Sequence, residues 1–530
     1  MNEENRSDSK RVSDGQDEKP KHRRIVERFV ITGQLQLNTP AHFGNGDTDA
    51  LTDMPLLLDE VDQSPLLTGA SLAGAMRSYL REREIGYPSS SSPRTRGGRA
   101  EVALFGGARG DDEGAQSPLI VHDALGMAAD IERRDGVRID SKTRTAEDDK
   151  KFDFELLAAG SAFDLRFDLL VSLPPGEEIS SEACRFQRAG LLQALATALD
   201  GLTNGEITLG ARKRRGFGRC SVSEWTVLRY DLTTRNGLVA WLAEGRNAAG
   251  TPWNDSVKPT VNKSIAAALG EEITVLPDHR EQFQVQAEFA IDGSLLVRSG
   301  APDSGPDLVH LHSPRPGRKP VPILAGTSWA GVLRSRAAQI AYTLSPAASR
   351  KRADQLINGI FGPAEIKSWR RPGNGKAPVK ASRLEVKESE IEQGRLLEQT
   401  RVKIDRFTGG AFESALFSEQ PLFGSDATRL ALDLSLRLPA AENDEARQRQ
   451  EKAEIGLLLL LLKDLWTGDL PLGGEISSGR GRLRGVRAEI KLHGQPWLFT
   501  QNTAGYLEIV GDRDMLQSFV AALKEELHHV

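Results

Sequence analysis

Cysteine is nearly missing from this chain of 530 residues: Cys184 and Cys220 are the two present. That excludes a disulfide scaffold and any cysteine-rich zinc site, and it fits a reducing, cytoplasmic setting. No apolar run approaches the length of a membrane span; the longest, Leu457 to Leu462 with its flanks, stops at Lys463 and Asp464. No signal-peptide pattern stands at the polar start, and residues 1–24 read as a disordered tail of mixed charge. An excess of positive charge is missing too. With 69 Lys and Arg against 74 Asp and Glu the formal net charge is −5, so any surface for nucleic acid must come from local patches. The length exceeds one core and implies two or more domains.

What is present is present twice. Leu209-Gly210-Ala211-Arg212-Lys213-Arg214-Arg215-Gly216-Phe217-Gly218-Arg219 is matched 263 residues later by Leu472-Gly473-Gly474-Glu475-Ile476-Ser477-Ser478-Gly479-Arg480-Gly481-Arg482. The glycines allow positive φ and bring backbone N–H groups close to a ligand. Arg212, Lys213, Arg214 and Arg215 supply charge for phosphates, and Phe217 offers a ring for a base. The second copy keeps the glycines and the last arginine without the basic run. Neither loop ends in Gly-Lys-Ser/Thr, which disfavours a Walker-type nucleotide hydrolase.

Four further pairs follow in the same order. Alternating apolar residues from Phe29 to Leu37 predict a strand, and Phe283 to Ile291 repeat it. Gly69-Ala70-Ser71-Leu72-Ala73-Gly74-Ala75-Met76-Arg77 is mirrored by Gly326-Thr327-Ser328-Trp329-Ala330-Gly331-Val332-Leu333-Arg334. Each predicts a helix N-capped by its serine, whose glycine-rich entry and arginine could hold a phosphate. Leu104-Phe105-Gly106 returns as Ile360-Phe361-Gly362. Basic segments around Ile139-Asp140 (with Arg138 and Lys142) and Ile404-Asp405 (with Lys403 and Arg406) predict protruding hairpins or loops. Each half closes with a helix, near 186–200 and 453–467. The chain divides into a first α+β domain at 25–227, a connector at 228–280, a second at 281–485 and an appendage at 486–530.

This ordered set resembles the RAMP superfamily of CRISPR-associated proteins, in particular the Cas-seven group that builds the backbone of type III effector complexes. Its tandem form is similar to the fused backbone subunits of subtype III-D. The resemblance implies ferredoxin-like, RRM-related domains with projecting thumb hairpins, bound along a CRISPR RNA beside other effector subunits. It implies RNA contacts at Gly69, Ser71, Arg77, Arg138, Lys142, Arg212, Lys213, Arg214, Arg215, Phe217 and Arg219. Their counterparts are Gly326, Ser328, Arg334, Lys403, Arg406, Arg480 and Arg482. It also implies an aspartate after the first strand that supports cutting of complementary target RNA with a divalent cation, Mg2+ or Mn2+.

In the family pattern that aspartate directly precedes a residue-Pro-aliphatic step, which selects Asp53-Met54-Pro55-Leu56; Asp47 and Asp49 could add metal ligands. In the second half, counting from the strand gives Asp307, whereas matching the proline step gives His312-Ser313-Pro314. RNA carries its own nucleophile, the 2′-hydroxyl, so a protein need only align it and assist one proton or charge. His42 reads as a loop residue. A scaffold that binds CRISPR RNA without cutting, and a guide-processing nuclease of the related Cas-six group, are the competing readings.

Overall fold

The computed structural model describes residues 24–46, 53–88, 99–107, 115–127, 130–140, 143, 145–173, 177–244, 257–270, 273–298, 305–363, 381–439, 445–502 and 506–528. The expected tail, Asp47, Asp49 and Lys142 lie outside them. The two halves carry the same order of major elements. The first has β1 (Ile25–Leu37), α1 (Gly69–Ile85), α2 (Arg99–Phe105), β2 (Leu119–Val121), β3 (Ile131–Ile139), β4 (Ala146–Leu157), β5 (Ala162–Ser172), α3 (Glu182–Thr203) and β6 (Cys220–Asp231). Then come α4 (Arg235–Glu244), β7 (Thr260–Asn262) and α5 (Ile265–Ala268). The main sheet runs β2-β5-β1-β6-β7. β1 is central because its alternating apolar residues bury on both sides: Phe29 stands opposite Leu169 of β5 and Arg229 of β6.

The helices α1 and α3 cover one face, placing Leu72, Met76, Leu195 and Leu199 in one core with Phe29, Phe163, Phe167 and Trp225. Across the sheet α4 caps a smaller cluster of Val30, Leu228, Tyr230 and Ala240. Each fully buried side chain of this size contributes about 1.5–3 kcal/mol.

The second half has β8 (Glu281–Asp292), β9 (His312–Arg315), β10 (Arg318–Leu324), α6 (Gly326–Leu344), α7 (Arg350–Phe361), β11 (Leu384–Val386) and β12 (Ser389–Glu392). It continues with β13 (Gln399–Ile404), β14 (Ala411–Gln420), β15 (Arg429–Leu438), α8 (Glu445–Trp466) and β16 (Arg482–Leu492). The appendage adds β17 (Gln495–Gln501), β18 (Leu507–Val510) and α9 (Arg513–His528). The sheet order is β9-β10-β12-β15-β8-β16-β17-β18, with β11 paired to β15. The appendage thus extends the second sheet, and α9 lies along α8. Gly456 makes the close approach feasible, since a Cβ there would come within 2.2 Å of the Phe519 carbonyl oxygen.

Two hairpins, β3–β4 and β13–β14, form ladders separate from the main sheets. They carry the basic Ile-Asp segments. The predicted N-caps need correction. Thr68 caps α1, its Oγ1 accepting from the Ser71 N–H at 3.3 Å. In the second half Ala325 holds that position without a side-chain cap. The helices start at Gly69 and Gly326, two residues before each serine. Among the described residues no helix is long and apolar enough to cross a membrane.

Candidate functional site

Asp53 is fastened to the hairpin of its own half. Its Oδ2 accepts from the Asp153 N–H at 3.0 Å, and its own N–H donates to Asp153 Oδ1 at 3.2 Å. Met54 then pairs with Phe154 in a parallel bridge, and the Leu56 N–H reaches Glu155 Oε2 at 3.4 Å. His42, read as a loop residue, is in fact buried, and its Nδ1 donates to the Glu155 carbonyl at 2.8 Å. The loop after β1 is therefore held along β4, with Asp53 exposed at its edge.

Asp307 occupies the equivalent position. Its Oδ2 accepts from the Ser418 N–H at 2.7 Å, its N–H donates to Ser418 Oγ at 3.2 Å, and Leu308 pairs in parallel with Glu419. Geometry therefore equates Asp53 with Asp307, whereas His312 lies within β9, its Nδ1 donating to the His310 carbonyl at 2.7 Å. The hairpin partner differs between the two sites: Asp153, a second carboxylate, is replaced by Ser418.

The glycine-rich loops share a backbone. Gly210, Arg212, Gly216 and Gly218 have positive φ, and so do Gly473, Glu475, Gly479 and Gly481 at matching positions. Only glycine fits at Gly218 and Gly481, where a Cβ would come within 1.8 Å of the Leu209 and Leu472 carbonyl oxygens. The loop pins Arg212 against the Asp53 site. Its guanidinium lies 4.7 Å from the Phe152 ring and 4.4 Å from the Phe154 ring, with Nη2 at 3.7 Å from Met54 Sδ. Among the described residues it has no carboxylate partner, and burial lowers its pKa. Its counterpart is Glu475, which is neutralised by Arg401 at 3.0 Å and Arg480 at 3.4 Å. The first half thus pairs Asp53 with a second carboxylate and packs Arg212 on Met54, Phe152 and Phe154, the neighbours of those two acids in the chain; the second half pairs Asp307 with Ser418 and, at the position of Arg212, closes Glu475 into an ion-pair network.

The rest of the first basic run faces the second half. Arg214 pairs with Glu385 at 3.2 Å, and Arg215 donates to the Leu384 carbonyl at 3.1 Å. Burial, with Arg334 and Arg214 nearby, pushes Arg215 down to about 10. Lys213 is lowered by burial and by Arg214 and Arg437. Glu82 and Glu385 also serve Arg437, so positive charge exceeds negative at this junction. Such a concentration of desolvated cations favours an anionic ligand.

Several sequence-predicted contacts are otherwise employed. Phe217 is 2% exposed and meets Phe154 edge-on at 6.0 Å, leaving no face for a base. Arg480 is 5% exposed and pairs with the buried Glu419. Arg77 ties α1 to the end of α2 through Glu101 at 2.7 Å and the Gly106 carbonyl at 3.1 Å; Arg334 does the same through the Gly362 carbonyl and Asn358. The Gly69 N–H already donates to Asp123 at 2.6 Å. The Ser328 N–H donates to the Ala325 carbonyl. Arg138 pairs with Glu147 at 2.8 Å, while Lys403 and Arg406 are exposed near the second hairpin tip. Arg219 directly precedes β6, in an isolated bridge with Thr208, and Arg482 lies away from the junction, beside α8. Sequence reading missed Asp153, and it missed Phe407, 99% exposed at the second hairpin tip.

Among the described residues no group of three or more His, Cys, Asp or Glu could hold a metal. Asp53 and Asp153 suit a cation completed by other oxygens, as Mg2+ commonly is by one or two carboxylates and a substrate phosphate.

His310 is a buried brace, with Nδ1 accepting from the Val297 N–H at 3.3 Å and Nε2 donating to the Ile323 carbonyl at 3.1 Å. Burial, with His312 nearby, pushes it down from 6.5 to about 4. Its contribution is complete above pH 6.5 and is lost as the pH falls toward 4, because the unfolded chain then binds the proton more readily. The loss expected from this group is roughly 3 kcal/mol. Urea unfolding of the wild type and His310→Gln, compared from pH 7 to 4, checks it: equal pH slopes would remove His310 from the account.

A family model described as the RAMP superfamily matches residues 34–221 and 294–484, one match in each half. The chain is also similar to the CRISPR system Cms endoribonuclease Csm3 of Methanothermobacter thermautotrophicus, with 30% identity over 98 residues. That alignment covers 18% of this chain and 39% of the relative.

Proposed function

This chain belongs to the RAMP superfamily, and on that premise we propose that it is a backbone subunit of a type III CRISPR effector complex. It binds CRISPR RNA along the junction between its halves and cuts complementary target RNA at the first-half site. The observation that carries this reading is the reciprocal pairing of Asp53 with Asp153 at the hairpin edge, next to Met54, which Arg212 touches. Arg212 holds the scissile phosphate, while Asp53 takes the proton of the adjacent 2′-hydroxyl or shares a cation with Asp153 and the phosphate oxygens. Such a cation, when bound, stabilises the charge that develops on the leaving oxygen. The second half keeps Asp307 without partners equivalent to Asp153 and Arg212, which supports a binding role there.

Each half is read as ferredoxin-like with a thumb hairpin. The sheet orders β2-β5-β1-β6 and β12-β15-β8-β16, each with two principal helices on one face, support that reading. Assembly with other subunits is supported by the heterologous contact between the halves. Gly216 backs onto the Glu388 N–H, where a Cβ would stand 2.4 Å away, and Gly326 lies under the Arg215 carbonyl. Among the described residues Gly479, the counterpart of Gly216, is open, as one end of a head-to-tail stack would be, whereas Gly69, the counterpart of Gly326, is covered by the Val121 carbonyl of its own half. The neighbour on the second half meets Leu397 and Gln399 where the first half presents Glu132 and Arg134.

The RNA contact is tested through salt. Arg214 and Arg215 are left in place because both bridge the halves. In Arg212→Gln/Lys213→Gln the affinity for a guide-length RNA should fall, and the slope of log K against log salt should flatten by about 1.4, at roughly 0.7 per lost single-strand phosphate contact. A slope equal to wild type would rule the loop out as an RNA contact.

A further inference from the structure

The duplication exposes one place where the halves differ by a missing part. In the first half, β7 lies against β6 as β17 lies against β16: Trp225 pairs with Asn262, and Ala488 pairs with Phe499. After β7 the first half folds α5 onto its own core, burying Ile265, Ala268 and Leu269 against α3 and β6. The following residues stay on α3, with the Leu276 N–H donating to Thr197 Oγ1 at 3.0 Å. After β17 the second half turns back as β18 instead. The space corresponding to α5 is left as a cavity of about 1120 Å³ between α8, β16, β17 and α9. Its wall includes Leu459, Leu460, Phe499 and Ile509, all half-buried, with Leu460 at the position equivalent to Thr197. Tyr506, Leu507 and Val510 stand exposed along the β18 edge beside it.

The rim has changed sign relative to the filled site. Lys463 replaces Asp200, Arg484 replaces Ser221, and α9 adds Arg513; Arg482 matches Arg219. Lys463 is neutralised by Asp464 and Asp469, and Asp292 is the acid on the rim. Among the described residues, Arg482 and Arg484 have no carboxylate partner, and Arg513 donates to the Ile509 carbonyl. We propose that this cavity seats a short amphipathic helix of a partner subunit, with the apolar spacing of Ile265, Ala268 and Leu269 on one face and acidic residues on its flank. The apolar face restores the contacts that α5 makes in the first half; the acids meet Arg482 and Arg484. The two longest segments of the chain outside the described residues fit poorly. Residues 1–23 offer Met1 and Val12 as their apolar side chains, and residues 364–380 carry Lys367, Arg370, Arg371, Lys376 and Lys380 toward a positive rim.

The α5 segment itself is the probe: a fluorescein-labelled peptide of residues 260–276, which carries Ile265, Leu269, Glu271 and Glu272. Added to the full-length protein, it should bind saturably by anisotropy. The peptides Ile265→Ser/Leu269→Ser and Glu271→Lys/Glu272→Lys should each bind at least about tenfold more weakly, and so should the protein variant Arg484→Glu. Leu460→Glu should abolish binding; if that variant fails to fold, the exposed Arg484→Glu still decides. Absence of saturable binding, or affinity unchanged by Arg484→Glu, would overturn the proposal. So would displacement of the peptide by RNA, or self-association of the protein that Arg484→Glu removes, since these give the cavity to RNA or to a second copy.

Discussion

Asp53→Asn leaves guide and target RNA bound and lowers target cleavage by roughly two to four orders of magnitude, the range for losing a general acid–base group. The substitution is nearly isosteric. The new Oδ1 can still accept from the Asp153 N–H, and the Asp53 N–H can still donate to Asp153, so the loop keeps its place along β4 and only the charge goes. Asp153→Asn should act in the same direction if, as proposed, Asp153 shares a cation with Asp53. A 2′-deoxy nucleotide 5′ to the scissile phosphate should block that cut in the wild type, and chelation of divalent cations should stop it as well. Asp307→Asn is expected to leave the cuts intact, since Ser418 and Glu475 stand where the first half has Asp153 and Arg212. Loss of a second, displaced cut would instead give the second half a working site. Wild-type cleavage by Asp53→Asn, with binding retained, would leave the RNA-binding scaffold as the surviving reading.

The contrast between the halves shows what was legible in the sequence. Strands β1, β5, β8 and β15 announced themselves by alternation, and α1 and α6 by an apolar stripe, because burial on one face imposes those periods. The paired glycines gave the loop backbone, since positive φ at Gly210, Gly216 and Gly218 recurs at Gly473, Gly479 and Gly481. Counting from the strand found Asp307, whereas the proline step pointed into β9. Side-chain neighbourhood was illegible. Phe217 reads as a stacking ring until Phe154, on the hairpin, is seen to cover it. Arg480 reads as an RNA contact until Glu419, which replaces that phenylalanine in the second half, claims its charge. Asp153 lies 100 residues from Asp53 with no motif of its own. The early start of α8 was hidden because residues 445–452 are mostly polar and exposed, so the apolar period begins at Ala453.

The same distance in sequence concealed the contact that fixes the halves, and breaking it carries the largest expected cost in stability. Arg134, on β3 of the first hairpin, is 4% exposed. Its guanidinium reaches Glu132 in its own half, and Glu388 and Ser313 in the second, with Ser313 Oγ at 3.0 Å. Ser313 in turn donates to Glu132 Oε2 at 2.9 Å and accepts from Arg315 at 2.7 Å, and Arg315 holds Glu388 at 2.9 Å. Charges buried this deeply contribute little net stability while paired, yet removing one partner strands the other. In Arg134→Met, Glu388 keeps Arg315, but Glu132 is left with a hydroxyl alone. The expected loss is about 3–5 kcal/mol. Adding Glu132→Gln should recover part of it, because the stranded charge is gone and the Ser313 hydrogen bond can remain. Because a two-domain chain need not unfold in one step, the readout is local: hydrogen exchange across 131–139 and 312–315, expected to rise together in Arg134→Met and to fall back in the double variant. RNA affinity should drop with it, since Arg212 rests on Phe152 and Phe154 of the same hairpin. Exchange in those two segments unchanged from wild type would show that the halves are held by something other than this network.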